Sequence, residues 1–103
     1  MRQAVLRIEG LPESALDAAA HFHSEWLPKA RDELRAAESL ALIFSVATHE
    51  HRGWRLAVVQ ELAREAAPKR VNGVVGDDLP ATGQTTGWLV DAPGITGQLL
   101  DVG

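Results

Sequence analysis

Four histidines are the side chains of this 103-residue sequence whose spacing could suit a metal ion. His21 and His23 lie two positions apart in an expected helix, about 200° around its axis, so they cannot share one ion. His49 and His51 could share an ion in an extended segment, but no third ligand follows at a useful spacing, and metal sites usually need about three or four converging ligands. We therefore expect solvated histidines and no metal site.

Asp77 and Asp78 are the next candidates, because they directly follow a predicted strand. They would lie at the carboxyl edge of an α/β sheet, where such proteins bind ligands. Paired carboxylates in a turn also bond to the loop backbone, and the turn-forming habit of aspartate favours this second interpretation. Residues 79 to 86 are an alternative region for binding a small molecule. Trp54 and Trp88 are expected to anchor a core or an interface.

The elements that would position these residues are clearest in residues 54 to 76. Trp54, Val58 and Leu62 recur every four residues with Val59 beside them, which predicts a long amphipathic helix. Pro68 ends this helix, and the β-branched valines of residues 71 to 75 predict a strand. The polar side of the helix is expected to face solvent with Arg55, Gln60, Glu61, Arg64 and Glu65.

The other segments continue an alternation of strands and helices. Residues 3 to 9 predict a half-polar edge strand, residues 14 to 37 a helix kinked near Pro28, and residues 40 to 46 a central strand that is apolar on both faces. Residues 76 to 87 are turn-rich, residues 87 to 94 can hold at most a short helix, and residues 95 to 103 predict a final strand. The apolar side of the kinked helix is expected to contain Leu16, Ala19, Ala20, His23, Leu27, Ala30, Leu34 and Ala37, broadened by Phe22 and Trp26.

This order predicts one α/β domain over residues 1 to 103, with about four parallel strands and two long helices, equivalent to half of a Rossmann-like doubly wound fold. Right-handed crossovers that step in one direction would place both long helices on one face and leave the other face of the central strand bare. Such an apolar face needs a partner, and we expect a homodimer or a tetramer. The favoured interface is instead the helix of residues 54 to 66, whose apolar side is wider than the sheet can cover, and its expected interface residues are Trp54, Val58, Val59 and Leu62; the bare sheet face or the first strand would be the second contact in a tetramer.

The composition excludes several classes of function. The net charge is −4, and the 10 Lys+Arg are dispersed among 14 Asp+Glu, so no basic stripe is present to bind nucleic acid. No apolar window reaches the length of about 18 residues that a membrane span requires. The sequence contains no cysteine and no stretch typical of a signal peptide. We therefore expect a cytoplasmic protein that binds neither nucleic acid nor membrane.

Two motifs resemble the second half of short-chain dehydrogenases/reductases. LA-x-E at residues 62 to 65 is followed by RVN at residues 70 to 72, and ITGQLL at residues 95 to 100 resembles the closing strand of that family. The resemblance implies a Rossmann-like fold and a known chemistry. In that chemistry a tyrosine, made acidic by a lysine, exchanges a proton with a substrate oxygen while hydride moves to or from a nicotinamide.

The same resemblance assigns the catalytic positions of the family to Asp17, Ser45, Thr48 and Arg52, in place of its Asn, Ser, Tyr and Lys. Threonine is a poor acid, and arginine stays charged and cannot transfer protons. The sequence has no tyrosine and no G-x-x-x-G-x-G loop for a dinucleotide. We therefore expect no catalytic or cofactor-binding residues and no cofactor. The expected role is that of a non-catalytic oligomeric binding or scaffold protein; the alternative is an oxidoreductase subunit that uses NAD(P) supplied by another chain.

Overall fold

Strands and helices alternate along the chain in a computed structural model, which describes residues 2 to 102. The strands are β1 (Gln3–Arg7), β2 (Ser39–Phe44), β3 (Arg70–Val75) and β4 (Leu99–Asp101). The helices are α1 (Ala15–His21), α2 (Leu27–Ala36), α3 (Arg52–Ala66) and α4 (Leu79–Val90). A π-helical segment, Phe22–Trp26, joins α1 to α2, and a 3₁₀ turn, His49–His51, precedes α3.

The four strands form one parallel sheet in the order β1-β2-β3-β4. The predicted α/β class and the expectation of about four parallel strands are therefore confirmed. All six residues of β2 are buried, as its uninterrupted apolar sequence indicates for an interior strand. Within residues 2 to 102, no helix has the length and apolar character needed to cross a membrane.

The helical region from residue 15 to residue 36 contains the expected irregularity before Pro28. Ser14 caps its start by accepting a hydrogen bond from the Asp17 N–H at 3.4 Å. The irregularity is the π-helical segment, which ends just before Pro28 enters at the start of α2. A proline there is tolerated because the first turn of a helix has amide groups without intrahelical partners.

The apolar side of α1 differs from the expected one. Leu16 is 85% exposed, whereas Ala18 and Phe22 are fully buried. Counting back from Ala30 at regular helical spacing leads to Leu16, but the wider π turn accommodates one more residue than an α turn and shifts the buried side. The regular periodicity assumed for the whole segment was therefore wrong before residue 22 and correct for α2, in which Ala30 and Leu34 are buried.

Helices α2 and α3 lie together on one face of the sheet, as expected. Leu34 of α2 and Leu62 of α3 belong to the same core as Leu42 and Phe44 of β2. Aromatic rings fill the centre of this core, where Trp54 meets Phe44 edge to face with ring centroids 5.8 Å apart.

The opposite face of the sheet is covered by α4, which corrects two expectations. The stretch expected to be rich in turns, residues 76 to 87, instead forms most of a helix of 12 residues. Its Leu89 packs on Ile43 and Val74, which point away from the main core, so the predicted bare face of the central strand does not exist. Each strand is added on the same side of the one before it, but α3 and α4 lie on opposite faces of the sheet. The crossover through α4 therefore has the opposite hand to the crossover through α3 and departs from the right-handed rule.

The residues of α4 explain why its sequence reads as turns. Thr82 and Thr86 are buried, and each hydroxyl donates to a carbonyl three residues earlier in the helix, at 3.1 Å and 3.0 Å. Gly83 and Gly87 lie on the exposed side. Threonine and glycine are weak helix formers, so the packing of Leu89 against the sheet overrides the local preference here.

The two sequence motifs lie against each other in the fold. Asn72 of β3 donates to the Ile95 carbonyl at 3.0 Å and accepts from the Gln98 N–H at 3.1 Å. The Thr96 hydroxyl accepts from the Val71 N–H at 3.1 Å. The RVN and TGQ residues therefore join β3 to the segment that leads into β4, which is a structural role.

Candidate functional site at the carboxyl edge of the sheet

A cleft of about 310 Å³ opens where β1 and β2 end. Residues 8 to 13, which follow β1, form one wall, and residues 45 to 48, which follow β2, form the other. His51 and Arg55, at the start of α3, complete the lining. The strand ends and a helix N-terminus thus meet at the edge where parallel α/β sheets bind ligands.

The structure brings together only some of the residues that the family resemblance singled out. Ser45 and Thr48 both line the cleft. Arg52 lies outside it and lines a neighbouring cavity, also of about 310 Å³, where its Nη1 pairs with Asp101 at 3.2 Å. Asp17 is exposed in the first turn of α1 and lines neither cavity.

The groups at these positions offer little proton-transfer chemistry. The Thr48 hydroxyl donates to Glu50 at 2.9 Å, and a threonine hydroxyl stays protonated at any useful pH. Arg52 carries a permanent charge and is held by the carboxylate of Asp101. Neither Thr48 nor Arg52 can therefore act as a proton donor or acceptor near neutral pH, although both can take part in binding a molecule.

Asp77 has the structural role expected of a turn carboxylate. Its Oδ1 accepts a hydrogen bond from the Val46 N–H at 3.2 Å and so connects the loop after β3 with the loop after β2. Asp78 is the N-cap residue of α4 but makes no side-chain capping hydrogen bond. The two carboxylates therefore have different surroundings, and only Asp77 stabilises the edge of the sheet.

His51 is buried rather than solvated, which corrects the sequence-based expectation for this residue. Its Nε2 lies 2.9 Å from the Glu13 carbonyl, and its Nδ1 lies 3.1 Å from the indole Nε1 of Trp54. Since the indole N–H can only donate, Nδ1 accepts and Nε2 carries the proton that is donated to Glu13. Both ring nitrogens are used within the chain. Across residues 2 to 102, no group of three or more potential metal ligands converges.

Arg55 is the site residue that sequence reasoning missed. It was expected to face solvent, yet only 5% of it is exposed. Its guanidinium lies over the ring of Phe44 at 4.9 Å and near that of Trp54 at 5.8 Å, and its Nη1 donates to the Ser45 carbonyl at 2.8 Å. Burial lowers the pKa of Arg55, and the nearby carboxylate of Asp77 partly offsets this effect.

A sequence signal for the burial of Arg55 exists. Arg55 precedes Val58, Val59 and Leu62 by three, four and seven residues, which is the spacing of one helical face. The residue type hid this signal, because charged side chains are seldom fully buried.

The residues expected to form an interface are part of the core of the single chain. Val58, Val59 and Leu62 are at most 4% exposed, and Trp54 is partly buried against the same core. Val58, Val59 and Leu62 therefore have little surface to offer a second copy, whereas Trp54 keeps part of its surface. Large exposed apolar side chains lie elsewhere in the described part of the chain, at Val5, Leu16, Val46, Leu79 and Trp88.

The chain was compared with protein families, curated proteins and solved structures. The family model described as "SDR-like: Short chain dehydrogenase-like protein" matches residues 6 to 102. No curated protein and no solved structure matches the chain.

Proposed function

The chain belongs to the short chain dehydrogenase-like family, and on this premise we propose that it is a non-catalytic member that works by binding, as an oligomer in the cytoplasm. The observation that carries the proposal is the absence of tyrosine from the whole sequence, with Thr48 and Arg52 at the positions where the family has its acid and its activating lysine. A fold supports many functions, so the residues of the site weigh more than the family.

The surroundings of Thr48 and Arg52 support this proposal. Thr48 and Arg52 both line the neighbouring cavity, but the Thr48 hydroxyl donates to Glu50 and the Arg52 guanidinium pairs with Asp101, so each is engaged by another group. The cleft at the ends of β1 and β2 nevertheless provides space for a ligand, without the groups for hydride transfer.

We expect no oxidation or reduction of NAD(H) or NADP(H) by the purified protein with alcohol or carbonyl substrates. Thr48→Tyr combined with Arg52→Lys should not restore turnover, because these 103 residues also contain no glycine-rich dinucleotide loop. Absorbance of the reduced nicotinamide measures turnover, and calorimetry measures cofactor binding. Micromolar binding of either cofactor would instead favour an oxidoreductase subunit.

The oligomer we propose is a homodimer that uses the face covered by α4. The Gln3 side chain donates to the Thr86 carbonyl at 2.9 Å, joining β1 to α4. Two large apolar side chains lie within two residues of this contact, Val5 at 49% exposure and Trp88 at 57%. Aromatic side chains are enriched at interfaces, so this surface is the better candidate now that the α3 residues are found in the core.

Val5→Glu together with Trp88→Glu is expected to convert the dimer into a monomer, because two carboxylates would be desolvated in an apolar contact. Light scattering over a dilution series measures the mass, and Leu16→Glu, on the opposite face of the sheet, is the matched control. A wild-type mass of 11.1 kDa at micromolar concentration would contradict the dimer. A dimer that survives the double substitution would place the interface elsewhere.

A further inference from the structure

The charge of Arg55 has no direct counter-ion among residues 2 to 102. No carboxylate oxygen of these residues forms an ion pair with its guanidinium within 4.0 Å. Its Nε is buried and has no hydrogen-bond partner among these residues. The single hydrogen bond to the Ser45 carbonyl leaves most of the five N–H groups of the guanidinium unused.

A buried cation in this state is costly unless another group completes its bonds. Removing a charge from water carries a large penalty that an aromatic ring offsets only in part. The chain contains better arrangements for a buried arginine: Arg70 is also buried, and its guanidinium donates four hydrogen bonds to backbone carbonyls. Arg55, by contrast, retains unused donors at a cleft.

The position of Arg55 makes its guanidinium reachable by a small molecule. The residue lines both the cleft between β1 and β2 and the neighbouring cavity at the end of β3. Ser45 lines the same cleft, and the N-terminal end of α3 adds the positive end of a helix dipole. The guanidinium of Arg55, the hydroxyl-bearing Ser45 and the helix N-terminus all favour an anion, and all three lie at the cleft between β1 and β2.

Carboxylates at the rim restrict which anion fits. Glu9 and Glu13 line the cleft and are exposed, and the carboxylate of Asp77 is close enough to act on the charge of Arg55. These carboxylates would repel an extended polyanion. A single compact anionic group inside the cleft would lie closer to the guanidinium of Arg55 than to these carboxylates. A guanidinium also matches the paired oxygens of a carboxylate or a phosphate in geometry.

We propose that the cleft at the ends of β1 and β2 binds a small organic anion, whose carboxylate or phosphate group pairs with Arg55 and accepts a hydrogen bond from Ser45. This inference rests on the proposed binding role and names its class of ligand. The two oxyanions share one recognition chemistry, and the separate arms of the experiment distinguish them.

The test is a titration of ¹⁵N-labelled protein with sodium acetate and, separately, with inorganic phosphate, with ionic strength held constant by sodium chloride. The Nε–Hε signal of Arg55, identified by its loss in Arg55→Met, should shift and saturate with at least one of the two anions. Backbone amide signals of residues 45 to 48 should follow the same curve. In Arg55→Met that curve should weaken by at least about tenfold, because the charge-assisted bonds are lost.

Two further variants separate this site from general salt effects. Arg64→Met removes an exposed, paired arginine from the same helix and should leave the titration unchanged. If Arg55→Met does not fold, Arg55→Lys keeps the charge without the planar fork and should bind several-fold more weakly. Non-saturating shifts in the wild type, or equal affinity in the wild type and Arg55→Met, would overturn the proposal. Nicotinamide turnover is measured independently, so the proposed function and this site can fail separately.

Discussion

Arg70→Met should destabilise the protein by about 3–5 kcal/mol, because it removes a buried guanidinium that holds the end of α4. Arg70 is 8% exposed, and its Nη1 donates to the carbonyls of Leu89 and Ala92 at 2.9 Å and 3.0 Å. Its Nη2 donates to Val90 at 3.3 Å. The last carbonyls of a helix lack intrahelical partners and carry partial negative charge, so the arginine both satisfies and neutralises them.

Urea denaturation measures the loss in stability, and amide hydrogen exchange locates it. We expect the amides near the end of α4 to lose protection before those of α3, because the contact between β3 and α4 is the one removed. Arg64→Met is the control, since that arginine is exposed and pairs with Glu61 on the helix surface. A midpoint for Arg70→Met equal to that of the wild type would show that water replaces the guanidinium without cost.

Phe44→Ala should cost about 3–5 kcal/mol, the usual range for truncating a buried aromatic side chain. The ring is fully buried at the end of β2 and contacts Phe22 and Trp54, with centroid distances of 6.1 Å and 5.8 Å. The same ring lies under the guanidinium of Arg55. Its loss would leave a cavity and remove one of the two aromatic rings that contact the guanidinium of Arg55.

Val46→Ala is the matched control for this substitution. Val46 lies two residues further along the chain and is 59% exposed, so its truncation should change stability by less than about 0.5 kcal/mol. Both free energies of unfolding come from the same denaturant titration. Similar values for the two variants would mean that the aromatic cluster contributes little and that its neighbours close the space.

The architecture followed from the sequence because its strongest signals are periodic and local. The apolar run of β2 and the four-residue repeat of α3 predict an interior strand and an amphipathic helix, and the structure has both. The helix α4 was not predicted, because its threonines and glycines are weak helix formers. The contact of its Leu89 with Ile43 and Val74 stabilises the helix instead. Such a contact depends on the tertiary fold and leaves no local pattern.

The sequence predicted the edge of the sheet at which the candidate site lies, but it pointed to residues 77 to 86, which do not line the cleft. A parallel sheet implies a cleft at its carboxyl edge, and Ser45 and Thr48 lie there as the strand ends indicate. The burial of Arg55 depends on Phe44 and Trp54 lying beneath it, which no pattern of charge predicts. Likewise, the burial of His51 depends on the Glu13 carbonyl, 38 residues earlier in the sequence.

Residues 95 to 101 lie against β3 in the way that a bound peptide lies in a groove. Val71 donates from its N–H to the Thr96 hydroxyl and accepts from the Gly97 N–H at 2.7 Å, while Asn72 bonds to residues 95 and 98. Leu99 then lies over Gly73, where an added Cβ would come within 2.7 Å of its side chain. Because residues 95 to 101 are covalently tethered to β3, they meet it at a high effective concentration, so a modest intrinsic affinity is enough to keep them in place.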